Sequence, residues 1–120
     1  MKKLIYVAGA LNSDAVGYIK NYHRMLLWAE KVRRAGFAVF VPALDFMMGV
    51  MFGDWEYTDY FDNSQPILNR CDAVFIVPGW ENSSGTKKEI ASAILQNIPV
   101  FYELEHLFEW KDHPERFNAD

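Results

Sequence analysis

Two rhythms of apolar residues alternate along this chain. Short unbroken runs occur at Leu4–Ala8, Phe37–Val41, Ala73–Val77 and Ile98–Tyr102. A strand covered on both faces shows such a run, whereas a strand with one wet face alternates apolar and polar residues. Four buried strands are therefore expected, with Gly9, Pro42 and Pro78-Gly79 ending the first three. Between the first two runs, Tyr18, Tyr22, Met25, Leu26, Ala29 and Val32 recur at spacings of three and four. That spacing predicts a helix over Val16–Ala35 with one apolar face. Gly36 suits the position just past its end. A helix between two strands supplies the crossover that parallel pairing requires, right-handed by rule.

The second half reads similarly. Asp62–Arg70 is expected to be helical, with Pro66 tolerable only in a first turn. Thr86–Gln96 is expected to be a helix with Ile90, Ala93 and Ile94 inward, and Glu103–Lys111 a terminal helical piece. Residues 43–60 are partly in helical register, but Gly49 and Gly53 interrupt them, so a loop with a short helical piece is expected. This order predicts an α/β fold: one domain over residues 1–120, with a doubly wound, mostly parallel sheet of four to five strands and flanking helices, Rossmann-like or flavodoxin-like. Ligands bind such folds beyond the C-terminal ends of the strands. The loops Gly9–Asp14, Ala43–Tyr60 and Pro78–Gly85 would meet there.

Composition narrows the partners. Net charge is −4 and there is no basic stripe, so a nucleic-acid polymer is not an expected partner. A small phosphorylated ligand would need only one local anion site. The single cysteine, Cys71, permits no internal disulfide and reads as an inert buried thiol. The first strand begins almost at Met1, and no apolar run approaches the about 20 residues that span a bilayer. A cytoplasmic protein without a membrane partner is expected. His23, His106 and His113 show no ligand spacing with one another or with Cys71, so neither metal nor cofactor is expected.

The densest candidate chemistry lies in Gly79-Trp80-Glu81-Asn82-Ser83-Ser84-Gly85-Thr86-Lys87-Lys88-Glu89. A strand ends there and a helix begins. A helix start offers unpaired N–H groups and partial positive charge, and small residues let an anion approach. Thr86 to Glu89 also matches a capping box, in which Glu89 would only close the helix end. Alternatively, Glu89 is a carboxylate one turn into the helix and aimed at a ligand, as nucleophile or as stabiliser of an oxocarbenium-like centre. Gly9 after the first strand allows close approach to the backbone. Asp72 stands at the opposite end of the third strand and reads as a turn residue. The aromatic and methionine cluster from Phe46 to Tyr60 suits core, lid or subunit interface alike. Trp80 is placed for stacking on a ligand.

Together, Tyr6-Val7-Ala8-Gly9, Val39-Phe40-Val41-Pro42-Ala43, Cys71-Asp72-Ala73-Val74, the Gly79–Ala91 segment and Ile98-Pro99-Val100 resemble the nucleoside 2-deoxyribosyltransferase superfamily. The likeness is to its small bacterial and phage members with a Gly-Trp-Glu-x-Ser-x-Gly loop. It runs from about Leu4 to Tyr102, and its specific part is the spacing from Ser83 through Gly85 to Glu89. The resemblance implies cleavage or transfer at the N-glycosidic bond of a (deoxy)nucleoside or its 5′-monophosphate. It implies Glu89 as nucleophile and Tyr6 and Gly9 lining the sugar pocket. Ser83, Ser84 and Gly85 would hold the 5′ end, Ala10 and Asn12 would follow the first glycine, and Trp80 would stand beside the ligand.

The chain departs from the pattern twice. Eight residues before Asp72, where the family has Asp, stands Ser64, and Asp62 or Asp59 is the expected substitute. Ala10 and Asn12 replace the Ser and Arg of monophosphate-specific members. The resemblance and the aromatics also imply a homo-oligomer, a dimer or larger. The alternatives are a nucleotide- or nucleoside-binding module without turnover and an oligomeric interaction protein.

Overall fold

The computed structural model describes residues 1–117, apart from the side chains at positions 43, 44 and 46. Phe46, the first residue of the aromatic cluster, falls among those side chains. The elements run β1 (Leu4–Ala8), α1 (Ala15–Arg34), β2 (Ala38–Phe40), α2 (Ala43–Phe52), α3 (Tyr57–Leu68), β3 (Ala73–Ile76), α4 (Ser84–Leu95), β4 (Val100–Phe101), α5 (Leu104–Asp112) and a 3-10 turn, Pro114–Phe117. The four strands form one parallel sheet in the order β2-β1-β3-β4. This is the expected α/β architecture. Chain order reverses between β1 and β3, which opens a crevice at their C-terminal ends.

The unbroken apolar runs reflect a sheet dry on both sides. From β1, Ile5 and Val7 point to one face, where Met25, Ala29 and Val32 of α1 and Leu107 and Trp110 of α5 cover them. Tyr6 and Ala8 point to the other, which holds Leu68 at the end of α3 and Ile90 and Ala93 of α4. Each such large side chain, fully buried, stabilises the fold by about 1.5–3 kcal/mol. Asp72 is a turn residue, as expected: its carboxylate accepts from Leu4 N–H at 2.7 Å and fastens the start of β1 to that of β3. Cys71 is buried and its thiol donates to the Ile67 carbonyl at 3.3 Å. Burial pushes the thiol up to about 11, which keeps it unreactive.

The ends of α1 follow the sequence closely. Asp14 caps it by accepting from Gly17 N–H at 2.7 Å, and Gly36 past the C-cap adopts φ +102°. Lys111 of α5 donates to the last free carbonyl region at Ala35, at 2.8 Å. Among the described residues, no helix is long and apolar enough to cross a membrane.

The segment expected to be a loop with a short helical piece differs most. Residues 43–52 form α2, and Gly49 stays inside it. A Cβ at Gly49 would overlap the Tyr60 hydroxyl, so the missing side chain admits the ring of α3's Tyr60. Gly53 does end the helix, at φ +78°. Helix α3 then begins at Tyr57, five residues ahead of its expected start. Glu56 and Asp59 cap it reciprocally, with Glu56 N–H donating to Asp59 at 2.7 Å. Pro66 consequently lies in the last turn of α3 and not the first. Helix α4 starts two residues early as well, and Ile94, expected inward, is 61% exposed.

Gly49→Ala forces α2 and α3 apart at Tyr60. The expected cost is about 1–3 kcal/mol, read from the urea midpoint. An unchanged midpoint would show that Tyr60 does not depend on this gap.

Candidate functional site

A cleft of about 560 Å³ opens at the C-terminal ends of β1 and β3. Its size suits a small organic ligand. Three elements build its wall. After β1 come Gly9, Ala10, Leu11 and Asn12. After β3 come Gly79, Asn82 and the residues of the α4 start, Ser83 to Thr86. Across from these stand Tyr57, Tyr60, Phe61 and Ser64 of α3, with Asp45 from α2. Tyr6 and Glu89 line the same cleft.

The α4 start decides what Glu89 does. Ser83, not Thr86, is the N-cap: its side chain accepts from Thr86 N–H at 3.2 Å and lies 2.9 Å from the Thr86 hydroxyl. Glu89 is therefore in the second turn, beyond reach of the cap. The capping-box alternative falls away, and the carboxyl is left to face the cleft. Ser83 lines the cleft while serving the cap, so its hydroxyl is already engaged from the helix side.

Tyr6 projects from the centre of the sheet. Its ring is wholly buried and lies 5.7 Å from that of Phe40. Its hydroxyl faces the Glu89 and Ser64 side chains. Burial, and then the negative charge of Glu89, push the phenol far above its ordinary range, so Tyr6 remains a proton-bearing donor. Glu89 is pushed up to about 7. Burial is the main cause, the charge of Asp45 adds to it, and hydrogen bonding to Tyr6 opposes it.

Asp45 is the residue that sequence reasoning passed over. It is 5% exposed, and among the described residues its Oδ2 has no hydrogen-bond partner. Burial raises its pKa, and a hydrogen bond with the Asn63 side chain opposes the rise. A signal was present: a lone acid in an apolar segment just past the C-terminal end of a strand, where ligand-binding residues collect.

Asp62, the expected stand-in for the family's Asp, does not reach this cleft. Helical spacing puts Tyr57, Tyr60, Phe61 and Ser64 on one stripe of α3 facing the cleft, and leaves Asp62 off it, in a shallow acidic hollow with Asp54, Asp59, Trp55 and Asn63. Asp59 is spent on the α3 cap. Trp80 is also outside the cleft lining. Gly79 turns the chain at φ +95°, and the indole packs 5.5 Å from the Tyr102 ring. Gly9 does line the cleft, yet a Cβ there would come within 2.9 Å of Val77 Cβ, so packing against the strand end already demands glycine. The aromatic cluster divides. Tyr57, Tyr60 and Phe61 wall the cleft, whereas Met51 and Phe52, 75% and 72% exposed, belong to no core. Among the described residues, no group of His, Cys, Asp and Glu is arranged to hold a metal ion.

No curated protein matches the chain. A family model described as Domain of unknown function (DUF4406) matches residues 3–102, a span that contains every residue of the cleft. The chain belongs to that family.

Proposed function

We propose that the protein breaks the N-glycosidic bond of a nucleoside or nucleoside 5′-monophosphate, as a hydrolase or as a deoxyribosyltransferase. The observation that carries this reading is Glu89, freed from any capping duty, at the cleft beside a protonated Tyr6 and below the Ser83–Gly85 turn. A Glu89 oxygen attacks the anomeric carbon. The carbon–nitrogen bond breaks with its electron pair passing to the base, which takes up a proton. Water, or a second base, then releases the sugar from the carboxyl. Tyr6 donates toward Glu89 and orients it. The N–H groups at the α4 start receive the oxygen-rich 5′ end. The likeness to the nucleoside 2-deoxyribosyltransferase superfamily supports the same roles.

Ser64 in the cleft wall, where that superfamily carries a carboxylate, favours a second reading: a nucleoside- or nucleotide-binding module without turnover. Incubation with a panel of nucleosides, 2′-deoxynucleosides and their 5′-monophosphates separates the two, with free base followed by chromatography. Release of base is expected, and Glu89→Ala is expected to lower it by roughly 1,000-fold or more. Binding by calorimetry with no base release would leave the module. Release that survives Glu89→Ala unchanged would sink the mechanism.

A nucleophilic carboxyl must be ionised. With Glu89 at about 7 in the free protein, kcat/KM is expected to rise with pH and level off above about 7. An activity that falls through that range would assign Glu89 the opposite role, as acid.

The same shift bears on stability. Between the ordinary Glu value, 4.5, and about 7, the folded chain keeps a proton that the unfolded chain releases. Stability therefore falls as pH rises through that window and stays reduced above it. Glu89→Gln removes the penalty. It is expected to stabilise the protein at pH 8 by about 1–3 kcal/mol and to give no gain below pH 4.5, as read from melting at both pH values. Equal effects at both would mean that Glu89 is not held at a cost.

A further inference from the structure

Two carboxyl groups line the cleft, and the attack on an anomeric carbon uses one. Asp45 is the other. It is buried, its Oδ2 has no partner, and it is coupled electrostatically to both Glu89 and Tyr6. Buried polar atoms in folded proteins are nearly always hydrogen-bonded, and an orphan in a cleft points to a partner that arrives with the ligand. A carboxylate oxygen accepts, so the ligand must bring a donor. Tyr6 does not fill that role, because its hydroxyl is turned toward Glu89 and Ser64. Asn63 serves the Asp45 carboxyl but leaves Oδ2 bare.

Resting on the glycosidic-bond reading, we infer that Asp45 accepts a hydrogen bond from the sugar hydroxyl next to the anomeric carbon, so that the cleft selects ribo- over 2′-deoxyribo-ligands. Asp45 lines the same cleft as Glu89 and Tyr6 and acts electrostatically on both, and on a nucleoside the donor nearest the anomeric carbon is the 2′-hydroxyl. A 2′-deoxy ligand leaves the buried oxygen unpaired, and sites built to bind a hydroxyl discriminate strongly against its absence. The substrate is thus a ribonucleoside or ribonucleotide, a narrower class than the superfamily likeness implies.

The test compares adenosine, cytidine, guanosine and uridine, and their 5′-monophosphates, with the matching 2′-deoxy compounds. In the wild-type chain kcat/KM is expected to favour the ribo member by roughly 100-fold or more. In Asp45→Ala that ratio is expected to shrink to within about tenfold, chiefly through loss on the ribo side. A wild-type preference for the deoxy member, or a ratio that Asp45→Ala leaves intact, overturns the inference while the glycosidase reading stands. The wild-type comparison needs no variant, so a poorly folded Asp45→Ala does not remove the test. If no compound releases base, the glycosidase reading fails. Calorimetry on Glu89→Gln with the same pairs then decides for Asp45 separately: tighter ribo binding supports its role, and equal binding of the pairs overturns it.

Discussion

A carboxyl held beside a buried phenol is the constraint around which this molecule is arranged. Glu89 and Tyr6 meet across the boundary between α4 and the centre of the sheet, where burial opposes the charged form of each. Such a meeting needs β1 inside the sheet, flanked by β2 and β3, so that Tyr6 is surrounded by protein. It needs Tyr6 on the face that α3 and α4 cover. And it needs α4 to begin early enough that Glu89 lies in its second turn. Asp45 adds a second acid to the same cleft and raises the cost of ionising either. The dry sheet can carry that cost, since Ile5, Val7, Ala73 and Phe75 on the opposite face are wholly buried and carry no polar side-chain atoms.

Helix starts decide which residues reach the cleft. A displaced start changes which residue caps the helix and which residues join its faces. At α4 the displacement takes Glu89 out of a capping box and gives the cap to Ser83. At α3 it adds Tyr57, Tyr60 and Phe61 to the helical stripe that includes Ser64 and faces the cleft, while Asp62 lies off that stripe. Both corrections come from short polar contacts: Ser83 with Thr86, and Glu56 with Asp59. The periodicity of apolar residues cannot reveal these contacts.

The strands and their order were legible because both faces of the sheet are buried, and burial on both faces writes a continuous apolar run. Glu89, Gly9 and the Ser83–Gly85 turn were legible as candidates because strand tips and helix starts collect ligands in parallel sheets, whereas Tyr6, inside β1, came only from the family resemblance. Helix α2 was only partly legible, as a short helical piece within a loop. Gly49 argues locally against a helix, and what retains it is the ring of Tyr60, a contact made only once α3 has docked. Asp45 disappeared with that helix, since a carboxyl placed on a loop gives no sign of which way it faces. Trp80 was misplaced for a related reason. Its position in a polar loop suggested an exposed ring, but the φ of +95° at Gly79 turns it onto Tyr102.

The finished cleft has two ends of opposite character. At the α4 start, backbone N–H groups beside Ser84 and Gly85 carry the partial positive charge of a helix N-terminus. Toward Glu89, the charge of Asp45 adds to the burial that resists ionisation of Glu89, and Asp45 Oδ2 has no hydrogen-bond partner among the described residues. A ligand anionic throughout is repelled by the acidic end. A ligand apolar throughout leaves both ends unsatisfied. What fits is a molecule with hydroxyl donors at one end and oxygen acceptors at the other. The rings of Tyr57, Tyr60 and Phe61 line the same cleft and can hold a flat apolar group. On the proposed glycosidic-bond reading, that polarity orients the ligand, with hydroxyl donors toward Asp45 and oxygen acceptors toward the helix start.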